Sequence, residues 1–183
     1  DMRAQSTSKV MNAPINDFLS RTGIMKKDIA KEMFVTGQTI TDWTRESHPK
    51  PVTAENAVRL AEVTNDSVLA QTIGYFYLGL PRPLDGDYKL DLSYLDDLRE
   101  LEEDERDEMQ RNRALRRVLC KQGEFNAVSY DLVLELAREQ AEACIVNQQY
   151  LFALCERLNI SVMDLMDMYM DRWKTEGYFG KEL

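Results

Sequence analysis

The sequence is poor in the side chains on which most enzymes depend. It has one histidine, His48, and three cysteines, Cys120, Cys144 and Cys155, with no C-x-x-C spacing. A lone histidine argues against multi-histidine metal sites and against Ser/His or Cys/His nucleophilic pairs. The odd, scattered cysteines suggest neither a disulfide frame nor a zinc site, and read as small buried apolar side chains. P-loop, G-x-G-x-x-G and G-x-S-x-G motifs are all missing. The chain therefore reads as a non-enzyme, with no cofactor and no metal expected. Long apolar runs are missing too. Nothing approaches the ~18–20 residues of a membrane span, and no charged segment leads into a signal-like apolar one. Asp1 ahead of Met2 reads as an addition before a native start. The expectation is a cytoplasmic protein without a membrane partner.

What is present is a core and an uneven charge. Of 183 residues, 44% are hydrophobic and 30% charged, enough for one large domain or two small ones. The net charge of −9 weighs against nucleic acid at face value. Its distribution weighs differently. Residues 1–80 carry 9 basic and 9 acidic side chains, whereas residues 81–183 carry 14 and 23. All the excess acid lies in the second half, which suggests two regions with different tasks.

Residues 1–12 are polar and aperiodic and read as a flexible arm. From 13 to 80, short helical patterns alternate with stop signals. Ile15, Phe18 and Leu19 mark a first helix ended by Thr22-Gly23. Ile29, Ala30 and Met33 mark a second, opening near Met25. Thr36 is the expected N-cap of a third, with Ile40 and Trp43 as its buried stripe, and His48-Pro49-Lys50-Pro51 stops it. Thr53 caps a fourth helix with Ala57, Leu60, Ala61 and Val63. Asn65-Asp66 opens a fifth with Val68, Leu69, Ile73, Phe76 and Tyr77. Residues 81–91, with two prolines and Asp85-Gly86, read as a linker. Beyond it, uninterrupted helical spacing from Leu92 to Gly123 predicts one helix of about 30 residues. Two further helices are expected, from Ser129 to Leu158 and from a Ser161–Asp164 capping box to about Lys174. No strand pattern appears, so the fold class is all-α.

The segment MKKDIAKEMFVTGQTITDWTRE, Met25 to Glu46, resembles the helix-turn-helix of the Cro/CI-type (XRE-like) transcription regulators. Lys26 stands at the family's glutamine position, Ile29-Ala30 at its Leu-Ala pair, and Met33 at the apolar residue before the turn. Val35 is the turn's inward residue, Thr36 the cap, Ile40 the buried isoleucine and Trp43 the aromatic. Ala30 is small where two helices joined by a short turn come close. The likeness covers about residues 14–80, and Thr64 to Pro81 is similar to the phage CII-type regulators. It implies a five-helix, lambda-repressor-like domain in a regulator of phage or mobile-element origin. Two departures bear on geometry. Phe34 stands where the family's turn carries glycine, so a positive φ or a differently shaped turn is expected there. Asp42 stands where the family often meets DNA.

The motif's docking geometry sends the N-terminal part of the recognition helix to base edges. The implied base-contacting residues are Thr36, Gly37, Gln38, Thr41 and Asp42. Gln38 is the foremost reader, because an amide can pair bidentately with adenine, and Asp42 could accept from a cytosine amino group. Lys26, Arg45, His48 and Lys50 are the expected phosphate contacts, with Arg3 and Lys9 on the arm adding to them.

In the second half, the run 96–108 is dominated by acid, and 111–121 carries five basic residues and no acid. Two readings stay open: a solvated helix whose charges complement its own dipole, with pairs such as Glu102–Arg106 and Asp107–Arg111, or an antiparallel dimer about Glu105–Met109. Leu132, Leu136, Ile145, Tyr150, Leu151, Phe152, Leu158, Val162, Met163, Leu165, Met166, Met168, Tyr169 and Trp173 are mostly expected in a bundle core. Residues 92–183 thus read as a helical dimerisation or oligomerisation domain. The expected function is a sequence-specific regulator binding repeated half-sites on double-stranded DNA. RNA polymerase or another regulator stands as a further candidate partner. Two alternatives remain: an interaction module whose acidic helices bind a basic partner, and an effector-sensing regulator with a peptide or small-molecule site in its C-terminal bundle.

Overall fold

The computed structural model describes residues 8–120 and 126–179. Among them are nine helices and a single two-stranded ladder: β1 (Ser8–Lys9), α1 (Asn12–Thr22), α2 (Lys26–Glu32), α3 (Gly37–Thr44), β2 (Val52–Thr53), α4 (Ala54–Thr64), α5 (Ser67–Leu78), α6 (Leu92–Arg111), α7 (Arg113–Leu119), α8 (Ala127–Arg157) and α9 (Val162–Glu176). The chain is mostly helical, as its apolar periodicity predicts. It divides into two compact units, Asp1–Arg82 with Met163–Leu183, and Pro83–Val162.

In the first unit the stop signals act where their chemistry places them. Gly23 closes α1 at φ +70, and Thr36, Thr53 and Asp66 cap α3, α4 and α5 through side chains that accept backbone N–H groups. The core joins Ile15 and Phe18 of α1, Ile29 and Ala30 of α2, Ile40 and Trp43 of α3, Ala57 and Leu60 of α4 and Leu69 and Ile73 of α5, with Met33. It also takes in Met11 and Val52, both fully buried. These two correct the expectation from sequence. Residues 8–12 are not a free arm: Ser8 and Lys9 pair antiparallel with Thr53 and Val52, and Asn12 already opens α1. A two-residue strand is too short to show an alternating pattern, so it leaves no signal. The Tyr77 hydroxyl donates to the Val52 carbonyl at 2.6 Å and ties α5 to this ladder.

Asp66 joins α1 to α5. Its Oδ1 accepts from Leu69 N–H at 2.8 Å, and its two oxygens take a forked pair from Arg21 at 2.8 and 3.0 Å. Removing a cap costs about 1 kcal/mol, and the half-exposed ion pair adds a fraction more. Asp66→Ala is therefore expected to destabilise by about 1.5 kcal/mol in a thermal melt. Asp66→Asn, which keeps an acceptor for the cap, should recover most of that.

In the second unit α6 packs along α8, burying Leu95, Leu98, Ala143, Val146, Phe152 and Cys155, with Leu115 of α7. The single long helix expected from Leu92 is interrupted at Asn112. Asn112 takes an extended backbone and its Oδ1 accepts from both Ala114 and Leu115 N–H, so it caps α7 instead of continuing α6. Arg116 then donates to the Gln110 carbonyl at 2.9 Å, satisfying the end of α6. The acidic run and most of the basic run therefore lie on different helices. The expected end at Gly123 lies outside the described residues. Within the acidic run Arg99 binds Asp96 and Glu103, both at 3.0 Å, and Arg106 pairs with Asp107.

The expected bundle core of the second half needs correction. Of its proposed members only Phe152 is buried. Leu158 is 67% and Met168 67% exposed, and α9 has no fully buried residue, although Val162, Met163, Leu165 and Trp173 are half-buried. From Met163 on, α9 groups with the first unit, where Asp164 accepts twice from the Asn65 amide at 2.9 and 3.0 Å. Of the cysteines, only Cys155 is buried.

Among the described residues of this unit, Glu102 Oε2 and Glu139 Oε2 are buried without a hydrogen-bond partner. Burial first, then the charges of Glu105, Glu142 and Glu139, push the Glu102 carboxyl above its ordinary 4.5, with Arg138 opposing. A carboxyl raised on folding penalises the folded state as it ionises, so stability falls as pH rises from about 4.5 through the raised value. Glu102→Gln removes that charge. It should raise stability at neutral pH and flatten the pH dependence of the melt.

Candidate nucleic-acid interface

The segment from α2 to α3 is shaped by backbone hydrogen bonding. Phe34 N–H donates to Lys31 O at 3.1 Å and Val35 N–H to Ala30 O at 2.9 Å, the paired bonds of a Schellman closure. This closure needs a left-handed residue, and Phe34 supplies it at φ +53. A side chain there costs about 1–2 kcal/mol relative to glycine. The Phe34 ring is 84% exposed, and the Arg59 guanidinium of α4 sits 5.2 Å from its centroid. That cation–π contact returns part of the cost.

α3 begins where Thr36 Oγ1 accepts from Thr39 N–H at 3.2 Å. Ile40, fully buried, and Trp43 fix its inner face. Asn16 of α1 donates to the Thr44 carbonyl at 2.9 Å and anchors the far end. The chain then doubles back. His48 adopts φ +52, and Lys50 N–H donates to the Asp42 carbonyl at 2.9 Å. That return brings Lys50 against α3, although eight positions separate it from Asp42 in sequence.

Asp42 is consequently not an outward base reader, as its position in the motif implies. It is 6% exposed. Its Oδ1 accepts from Gln38 Nε2 at 2.7 Å and faces an Arg45 guanidinium nitrogen at 2.8 Å, and its Oδ2 meets Lys50 Nζ at 2.6 Å. The Lys50 ammonium, then the Gln38 amide, hold the Asp42 carboxyl below its ordinary 3.8; burial opposes them, and the charges of Arg45 and Lys50 assist. A lowered folded value means these contacts stabilise fully above about 3.8, and that stabilisation is lost as pH falls from there through the lowered value.

The other implied contacts keep accessible positions. Thr36, Gly37, Gln38 and Thr41 are exposed along one side of α3, although Thr41 Oγ1 also donates to Gly37 O at 2.9 Å. A Cβ at Gly37 would meet nothing within 4 Å, so the space beside its backbone is open. Arg45 and Lys50 flank this side with side chains 49% and 67% exposed. Lys26 is exposed at the start of α2, and His48 is exposed with Nδ1 2.7 Å from Ser47 Oγ. Lys9 sits in β1, half-buried, instead of on a free arm. Arg3 lies outside the described residues.

Two features of this surface escape sequence reasoning. The Asp42 cluster depends on the returning loop, which local pattern does not encode, although the i, i+4 and i, i+3 spacing of Gln38 and Arg45 about Asp42 is a partial clue. The Phe34–Arg59 contact joins residues too far apart in sequence to leave any signal.

Among the described residues, no group of three or more His, Cys, Asp or Glu side chains is placed to hold a metal ion, and no helix is long and apolar enough to cross a membrane. No family model matches this chain, and no curated protein or solved structure does so either.

Proposed function

We propose that the first unit binds double-stranded DNA through α3, as a helix-turn-helix module of a sequence-specific transcription regulator. The observation that carries the reading is the two-sided character of α3. Ile40 and Trp43 lock one side into the core, while Gly37, Gln38 and Thr41 stand exposed, with the accessible cations Arg45 and Lys50 gathered on the Asp42 carboxylate beside Gln38. An exposed helix side of uncharged polar groups with cations beside it suits a groove: amides and hydroxyls read base edges, and cations hold the backbone. Asp42 is buried and paired to both cations, so its carboxylate does not itself meet phosphate, and the cluster keeps a net positive charge. The charge balance of residues 1–80 supports the same reading, since the acid excess lies elsewhere.

The role proposed for the second unit is self-association, which raises effective concentration at paired half-sites. The test is selection of bound sequences from a random duplex pool by the full chain at ~150 mM salt, where non-specific binding is weak. The expected result is an enriched motif with half-sites about 10 bp apart or a multiple of that. No enrichment by chain shown to be folded would end the DNA reading and favour a protein partner for the acidic helices.

A further inference from the structure

We infer that Asp42 is a positioning residue for base selection, fixing which way the Gln38 amide faces and holding Arg45 and Lys50 beside it; this rests on the reading of α3 as the DNA-contacting helix. An ionised carboxylate only accepts hydrogen bonds. At 2.7 Å from Asp42 Oδ1, Gln38 must therefore present its nitrogen, because the flipped amide would set oxygen against oxygen. One Nε2 hydrogen is engaged by this contact. The second hydrogen and Oε1 remain, one donor and one acceptor on a side chain whose orientation is set before any partner arrives. That pair matches the N7 acceptor and N6 amino donor of adenine in the major groove. An asparagine at 42 can accept or donate, so it would satisfy either face of Gln38 and leave the amide free to flip.

The same carboxylate tempers the flanking cations. Arg45 and Lys50 are about half and two-thirds exposed, whereas the Asp42 side chain that faces both is only 8% exposed. It offsets one of two positive charges without presenting its own charge to the partner. Attraction to any phosphate backbone is weakened, and the discrimination made by Gln38 becomes a larger share of the binding.

The test is competition binding of the full chain to its selected duplex and to a scrambled duplex, across a salt series. Asp42→Asn is expected to cut the preference for the selected duplex by about tenfold. It should also tighten binding to the scrambled duplex at low salt, and steepen the log–log salt slope by about one. In a Gln38→Ala background, Asp42→Asn should still steepen the slope but no longer change the preference. If Asp42→Asn fails to fold, Asp42→Ser carries the same expectation with less bulk. The wild-type chain gives a reading that needs neither variant nor DNA. The Gln38 side-chain amide resonances should shift with a single acid titration centred below the ordinary aspartate value of 3.8. Amide resonances indifferent to that titration overturn the inference. So does an Asp42→Asn chain that keeps the wild-type preference, and in that case the DNA reading stands. A folded wild-type chain that selects no duplex takes both down together.

Discussion

Trp43→Ala is expected to cost its unit about 3–5 kcal/mol of stability. Trp43 is 4% exposed, and no other residue type fills the space of an indole. It lies on α3 three residues after Ile40, and together they hold that helix against Met33 and Ala30 at the end of α2 and against α1. Truncation leaves a cavity that a core built from α1 to α5 and two short strands cannot collapse to fill. Small domains have a total stability of only about 5–15 kcal/mol, so the loss is a large share of what is available. A circular-dichroism melt should show the transition lowered by about 12–40 °C, taking roughly 4–8 °C per kcal/mol. Trp43→Phe, which keeps an aromatic ring, should lose far less. A loss below about 1 kcal/mol for the alanine variant, far under the usual cost of emptying a core aromatic site, would mean that α3 is not held by this side. The exposed face assigned to it would then no longer follow.

The residues that make Trp43 central are legible in the sequence itself. The stripe of Ile29, Ala30, Met33, Ile40 and Trp43 follows helical spacing, and Thr36, Thr53 and Asp66 are capping residues set just ahead of apolar runs. Local chemistry decides such features, so sequence carries them. The failures share the opposite property. Met11 and Val52 are buried because two short strands meet, and Asp42 is buried because the chain returns after His48. Each depends on an approach between segments that no periodicity announces. The break at Asn112 is a different kind of miss. Asparagine is an ordinary helix-interior residue by spacing, yet its side chain can accept two backbone N–H groups and start a new helix. In α9 the apolar spacing correctly implies a helix, and its apolar residues are half-buried or exposed where full burial is expected. Amphipathic spacing shows that one side is apolar, and it does not show that anything covers that side.

Gln38→Ala and Lys50→Ala separate the two kinds of contact that the DNA reading assigns to α3 and its flank. Gln38 is expected to discriminate, because a bidentate amide–adenine pair is worth roughly 1–3 kcal/mol against the wrong base. Its removal should reduce the preference for the selected duplex by about ten- to a hundredfold, with little change on scrambled DNA. On the same reading Lys50 would meet phosphate by charge alone, so its removal should weaken both duplexes by a similar factor and make the salt slope shallower by about one. The lysine variant also releases Oδ2 of Asp42 from its 2.6 Å partner, while Gln38 and Arg45 remain on Oδ1. The Gln38 amide should therefore keep its orientation, and selectivity should survive in Lys50→Ala. Equal loss of selectivity in both variants would show that the amide is not the reader. Loss of general affinity in the glutamine variant alone would place the backbone contact on α3 itself.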